Sequence, residues 1–247
     1  MTDSTNPQSH TPKVPDAQTV RLANYIQDTA LAPLPLPREF FYGSLPLCVI
    51  DAVFSIGVTY TSTRNTVNRF CERQGWNMSL DPDMPRMKGE HSVSGFLCLL
   101  ECLLPEQLAV DLFGNRQRTS SRSGILKAEA VQRFAVALKN AGIDDFCDFD
   151  EHRLRMAETL VRKIPGQASG ISFDYFRMLA GDDTLIKPDR MVQRYIAKAL
   201  NEGPQLVRPD KARVLLSGAA LLLVQRGQDW SPRKLDYAIW NAESAKP

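Results

Sequence analysis

The chain has 247 residues and a mass of 27.7 kDa, enough for one large domain or a two-lobed module with a substantial core. Hydrophobic residues make up 43% and charged residues 23%, which excludes a disordered or fibrous chain. The formal charge of +2, from 30 Lys and Arg against 28 Asp and Glu, excludes a wholesale polycation and leaves room for a local basic patch.

Residues 1 to 37 hold six of the sixteen prolines and many Ser, Thr, Asn and Gln. Such a stretch is expected as a poorly ordered tail, with a short helix possible over Val20 to Ile26. From Pro46 the pattern turns helical: Leu47, Ile50, Phe54 and Val58 fall at three- and four-residue spacing. Thr59 to Ser62 breaks the run, and Val67, Phe70 and Cys71 mark a second helix. Asp81 to Pro85 reads as a loop. His91 to Leu104 reads as an apolar helix stopped by Pro105. Phe113 to Ser123 is polar and basic, and Ile125 to Leu138 is helical again. Leu154 to Ile164, Ile171 to Leu179 and Met191 to Ala199 give three further helical patterns. The run from Asp210 to Gln225 is apolar nearly all round, which predicts a central core helix. Trp230 and Trp240 are expected to pack the C-terminal segment onto the body. Period-two alternation is missing throughout, so the expected fold is all-α.

Five cysteines, Cys48, Cys71, Cys98, Cys102 and Cys147, show no C-x-x-C spacing, and only His10, His91 and His152 could join them. They are expected as core thiols, with no metal bound. Neither G-x-x-x-x-G-K-[ST] nor G-x-G-x-x-G occurs. The N-terminus lacks a basic start followed by an apolar run, and Val214 to Val224 is too short to span a bilayer. The expectation is a soluble, cytoplasmic protein without a membrane partner.

The stretch from Leu160 to Tyr195 is the most informative. It reads as helix, Pro-Gly turn, helix, loop, then Asp189 at a helix start. Such a turn exposes backbone N–H groups that can hold a phosphate oxygen. Ile164-Pro165-Gly166-Gln167-Ala168 resembles the L-P-G-V-G hairpin of the helix-hairpin-helix DNA glycosylase superfamily. Asp189 and Arg194 follow at nearly the family's spacing for its essential aspartate and an arginine. Leu47 to Arg69 and Gly124 to Ala130 resemble the family's earlier segments. The resemblance covers about Pro46 to Leu200.

That resemblance implies a two-lobed helical module over residues 38–247, with a cleft between lobes. Lobe A would span about 58–180, and lobe B would combine about 38–57 with 181–247. It implies that Asp189 stabilises an oxocarbenium-like sugar or orients a water. Gly166, Gln167, Ala168, Ser169 and Gly170 would clamp a phosphate of duplex DNA. Arg116, Arg118, Arg122 and Lys127 form a basic segment suited to further phosphates, with Arg64 and Arg69 as possible extensions. Tyr60 and Tyr175 are base-pocket candidates.

Departures from the family shape the expected activity. Ala168 replaces a hairpin glycine, and Lys187-Pro188 replaces apolar residues before the aspartate. Ser169 and Gly170 stand where bifunctional members carry a Schiff-base lysine, which implies a monofunctional enzyme without lyase activity. No cysteine follows Cys147, so no iron–sulfur cluster or other cofactor is expected. Two alternatives stay open: a non-enzymatic DNA-binding protein that kept the fold, and a helical interaction protein without a nucleic-acid role.

Overall fold

The computed structural model describes residues 16–79, 89–122 and 124–244. Among them the chain is all-α, and extended pairing is confined to two isolated bridges, Tyr42 with Ser79 and Arg118 with Leu126. The loop expected over Asp81 to Pro85 lies outside the described residues.

Helix α1 (Ala17–Asp28) starts on Asp16, whose carboxylate accepts from the N–H groups of Gln18 and Thr19. Its face of Thr19, Leu22, Ala23 and Ile26 is buried. This corrects the expected tail over its second half. Averaging composition across 37 residues hid a short amphipathic face that tertiary packing captures.

Helix α2 (Leu45–Phe54) is buried at all ten positions and is the central helix. After a short break, α3 (Tyr60–Gln74) runs to Gly75, which ends it at φ +66°. Helix α4 (Val93–Leu100) stops short of the expected end, and Pro105 instead opens α5 (Pro105–Gln107), which continues into a π-helical turn at Leu108–Leu112. A first-position proline loses no intrahelical bond, so it starts a helix as readily as it ends one. Then follow α6 (Lys127–Asn140), α7 (Glu151–Val161), α8 (Ile171–Leu179), α9 (Arg190–Leu200), α10 (Pro209–Gln225) and α11 (Pro232–Ser244).

Two apolar clusters form. The first runs from Tyr42 to Leu179 and is built around α2, α6 and α8. The second joins Leu22, Ala23 and Ile26 of α1 to residues from Ile186 to Ile239. The clusters change over near residue 180, and α2 belongs to the first of them. A helix apolar on every side must be surrounded, and the larger cluster surrounds it. Helix α10 is the reverse case. Val214, Leu221 and Val224 are exposed, so it presents one face to α1 and is not the central helix.

Candidate functional site

A cavity of about 100 Å³ lies where the two clusters meet. Its walls are aromatic: Phe40, Tyr60, Tyr175, Tyr237 and Trp240. The Tyr60 and Trp240 rings meet edge to face at 5.4 Å, and Tyr237 stacks on Trp240 at 6.1 Å. Such rings give a flat, apolar slot with little side-chain entropy to lose on binding. Tyr60 stands at the first turn of α3, placed by the break after α2. Its hydroxyl donates to Glu39 at 2.7 Å, and Glu39 also pairs with Arg64 at 2.7 Å.

Asp189 lines this cavity and a wider one beside it. Its Oδ1 accepts from the N–H groups of Met191 at 2.8 Å and Val192 at 3.2 Å, capping α9. Its Oδ2 has no hydrogen-bond partner among the described residues. Capping therefore fixes the carboxylate while leaving one oxygen for a bound molecule. The wider cavity extends from Asp189 past Arg190 and Arg194 to Ile171, the first residue of α8.

The floor holds charges that the sequence did not place there. Lys187 Nζ sits 3.8 Å from the centre of the Tyr175 ring and donates to Ser55 Oγ at 3.0 Å. Burial pushes the Lys187 ammonium below the usual lysine range, while Asp189, Asp51 and Asp236 push back. Asp236 Oδ1 accepts the Lys187 backbone N–H at 3.0 Å. Burial, reinforced by the nearby Asp189 charge, lifts the Asp236 carboxyl to about 8. Asp51 is fully enclosed and takes a bond from the Tyr42 hydroxyl at 2.8 Å. Burial lifts it to about 6, against the opposing charge of Lys187.

The Pro-Gly turn lies between α7 and α8. Gly166 has φ +86° and Gly170 has φ +76°, values open to glycine and costly for other residues. A side chain at Gly166 would also collide with Thr119. The turn therefore rests directly on the basic segment. That segment folds back on itself, with Thr119 donating to the Ile125 carbonyl and Lys127 donating to the Gln117 carbonyl. The N–H groups of Ala168 and Ser169 find no acceptor among the described residues. Arg116, Arg118 and Arg122 are exposed on that segment, and Arg118 also donates to the Gly124 carbonyl at 2.9 Å.

Some expected contacts are not available. Lys127 is 2% exposed, and its Nζ donates to the carbonyls of Phe54 and Ile56 and to Gln117 Oε1. It closes the C-terminal end of α2, where partial negative charge gathers, and does not reach a phosphate. The Gln167 side chain is likewise buried, so only its place in the turn serves the proposed clamp. Arg69 donates to the carbonyls of Phe113 and Gly114 instead of facing outward. Cys98, Cys102 and Cys147 are exposed, against the expectation of core thiols: Cys98 lies on the outward side of α4, Cys102 in the turn after it, and Cys147 in the short 3-10 turn Phe146–Asp148. Among the described residues no group of three or more His, Cys, Asp or Glu is gathered for a metal.

The structure brings Asp189, Tyr60 and Tyr175 together, as expected. Lys187, Asp236, Tyr237 and Trp240 were missed as pocket residues. Three of these four come from α11, whose sequence carries no recognisable motif. Trp240 was expected to serve only packing, a role that Trp230 fills at 5% exposure.

A family model described as a domain of unknown function (DUF8548) matches residues 20–244. No curated protein and no solved structure matches the chain.

Proposed function

The chain belongs to the DUF8548 family, a domain of unknown function, and we propose that it is a DNA N-glycosylase-like protein that extrudes a base and cleaves its glycosidic bond. The observation that carries this reading is the position of Asp189. It is a carboxylate locked by two backbone N–H groups, with one free oxygen, at an aromatic pocket between two helical bodies. Glycosidic cleavage builds positive charge on the sugar, and a fixed carboxylate stabilises that charge without reorganising. The aromatic walls would replace the stacking that an extruded base gives up. The turn from Gly166 to Gly170, together with Arg116, Arg118 and Arg122 on the segment whose Thr119 packs against Gly166, would hold the backbone. Ile171 links that turn to the wider cavity that leads to Asp189.

The test is single-turnover base release from duplexes carrying alkylated, deaminated or oxidised bases. The wild-type chain is expected to release at least one of them. Asp189→Asn should lower that rate by at least 100-fold while binding survives. Release that persists in Asp189→Asn would contradict the assignment. The reading of a non-enzymatic DNA-binding module is favoured by Lys187-Pro188 and Ala168, and would show binding without release from any duplex.

A further inference from the structure

Two polar groups in the wall of the aromatic slot have hydrogen-bonding capacity left over. Thr63, on α3, lines the slot and is 1% exposed. A helical threonine can bond the carbonyl four residues back, as Thr66 does to Ser62 at 3.0 Å. Thr63 does not: its buried Oγ1 has no hydrogen-bond partner among the described residues. A buried hydroxyl left unpaired costs stability, so its presence calls for a partner that binding supplies. Asp236, on α11, lines the same slot. Its Oδ1 accepts the Lys187 N–H, and its Oδ2 has no partner among the described residues. With its carboxyl lifted to about 8, this side chain carries a proton at pH 7 and can both donate and accept. The cations of the wall are held in place. Lys187 lies over the Tyr175 ring and donates to Ser55, and Arg233, 4% exposed, donates to Asp183 and to the Phe40 carbonyl. The Tyr175 face that could attract a cation is therefore already taken. A ring with its own positive charge would be a third cation beside these two.

We propose that the slot selects a neutral base with a lactam edge, an N–H beside a C=O, read by Thr63 Oγ1 and Asp236 Oδ2. The proposal rests on the glycosylase reading above and names its substrate class. Deaminated or oxidised bases, such as hypoxanthine and uracil, carry this edge without a charge. Cationic methylated bases such as 1-methyladenine lack the edge and add the charge. A hydroxyl and a protonated carboxyl suit a lactam because each can face either a donor or an acceptor. An occupant without that edge leaves both groups unpaired, which is a strong basis for rejection. Thymine and guanine share the edge, but in a matched duplex the cost of unpairing and unstacking keeps them out of the slot.

The experiment has two arms, both with the full chain at pH 7. In the first, 2′-deoxyinosine and 1-methyl-2′-deoxyadenosine are titrated against tryptophan fluorescence. The two nucleosides are of similar size and differ in the edge and the charge. In the second, single-turnover release of hypoxanthine, uracil and 1-methyladenine is compared from mispaired duplexes. Deoxyinosine is expected to bind at least about tenfold more tightly, and the lactam bases to be released faster. Thr63→Val keeps the shape without the hydroxyl and should lose about fivefold of that preference, with an equal or higher Tm. Thr63→Ser should retain the preference. Asp236→Leu should lose it, and Asp236→Asn, which still donates and accepts, should keep most of it. Preference for 1-methyladenine in either arm overturns the proposal, and its release leaves the glycosylase reading standing. Undiminished lactam preference in both Thr63→Val and Asp236→Leu also overturns the proposal. Thr63-dependent binding of deoxyinosine without release from any duplex supports the slot chemistry and overturns the cleavage reading. A chain that neither binds deoxyinosine nor releases any base overturns both.

Discussion

Asp236 sits in the pocket wall with its carboxyl lifted to about 8, chiefly because burial penalises its charged form. The fold therefore prefers the neutral acid. Its stabilising share is complete below pH ~4, where the unfolded chain is also protonated, and is lost as pH rises through 8. Each pH unit in that window is worth at most about 1.4 kcal/mol. Asp236→Asn keeps an oxygen for the Lys187 N–H and removes the titration. Between pH 5 and pH 8 the wild-type chain should lose on the order of 2 to 4 kcal/mol relative to that variant, or roughly 5 °C or more in Tm. Asp51 titrates with the same sign in both chains, so it cancels. Parallel Tm values across this range would contradict the placement of Asp236. At this scale the sequence was only partly readable. Asp189 could be named because its cap position and its spacing from the turn are both local. Asp236 and Lys187 owe their chemistry to burial, which no neighbouring residues announce. Lys127 was misread for the same reason, since a lysine in a basic run looks solvated until its carbonyl partners arrive from residues 54 and 56.

Most helices were legible as elements because apolar spacing and caps agree with each other. Boundaries failed where proline could act in two ways, as at Pro105. Helix α1 shows how packing overrides composition. It docks where Gly218 leaves room in α10, and a side-chain carbon at Gly218 would come within 2.8 Å of Thr19 Cγ2. Gly218→Val should therefore push α1 off its seat and cost about 1 to 3 kcal/mol, read as a lower urea midpoint and easier proteolysis near residue 30. Gly218→Ala should cost less, because alanine's better helix propensity, about 1 kcal/mol, offsets part of the clash. Wild-type stability in Gly218→Val would contradict this packing. The turn from Gly166 to Gly170 is a second case of close approach. Its positive φ values were foreshadowed by the glycines, whereas its contact with Thr119 joins segments nearly fifty residues apart and had no local sign.

Across the whole molecule, two apolar clusters share a pocket, and the basic segment packs through Thr119 against the turn that precedes Ile171, a residue lining the wider cavity. The near-neutral total charge hides this, because acids elsewhere balance the arginines of the loop. Neutral totals do not weaken local phosphate binding, which depends on where cations stand and is screened by salt. The division near residue 180 could be expected from the resemblance. The placement of α2 could not, since its all-round apolar pattern says that it is buried but not by which partner.

The central claim is that duplex DNA docks on this surface and delivers one nucleotide to the Asp189 pocket. Gel-shift titration of two duplexes, one with a tetrahydrofuran abasic mimic and one undamaged, across a salt series tests it most directly. Tighter binding to the abasic duplex, falling steeply with salt and lost in Arg118→Glu and Gly166→Glu, is the predicted result. Equal affinity for both duplexes would contradict nucleotide extrusion. No binding to either duplex even at low salt would contradict the DNA reading itself.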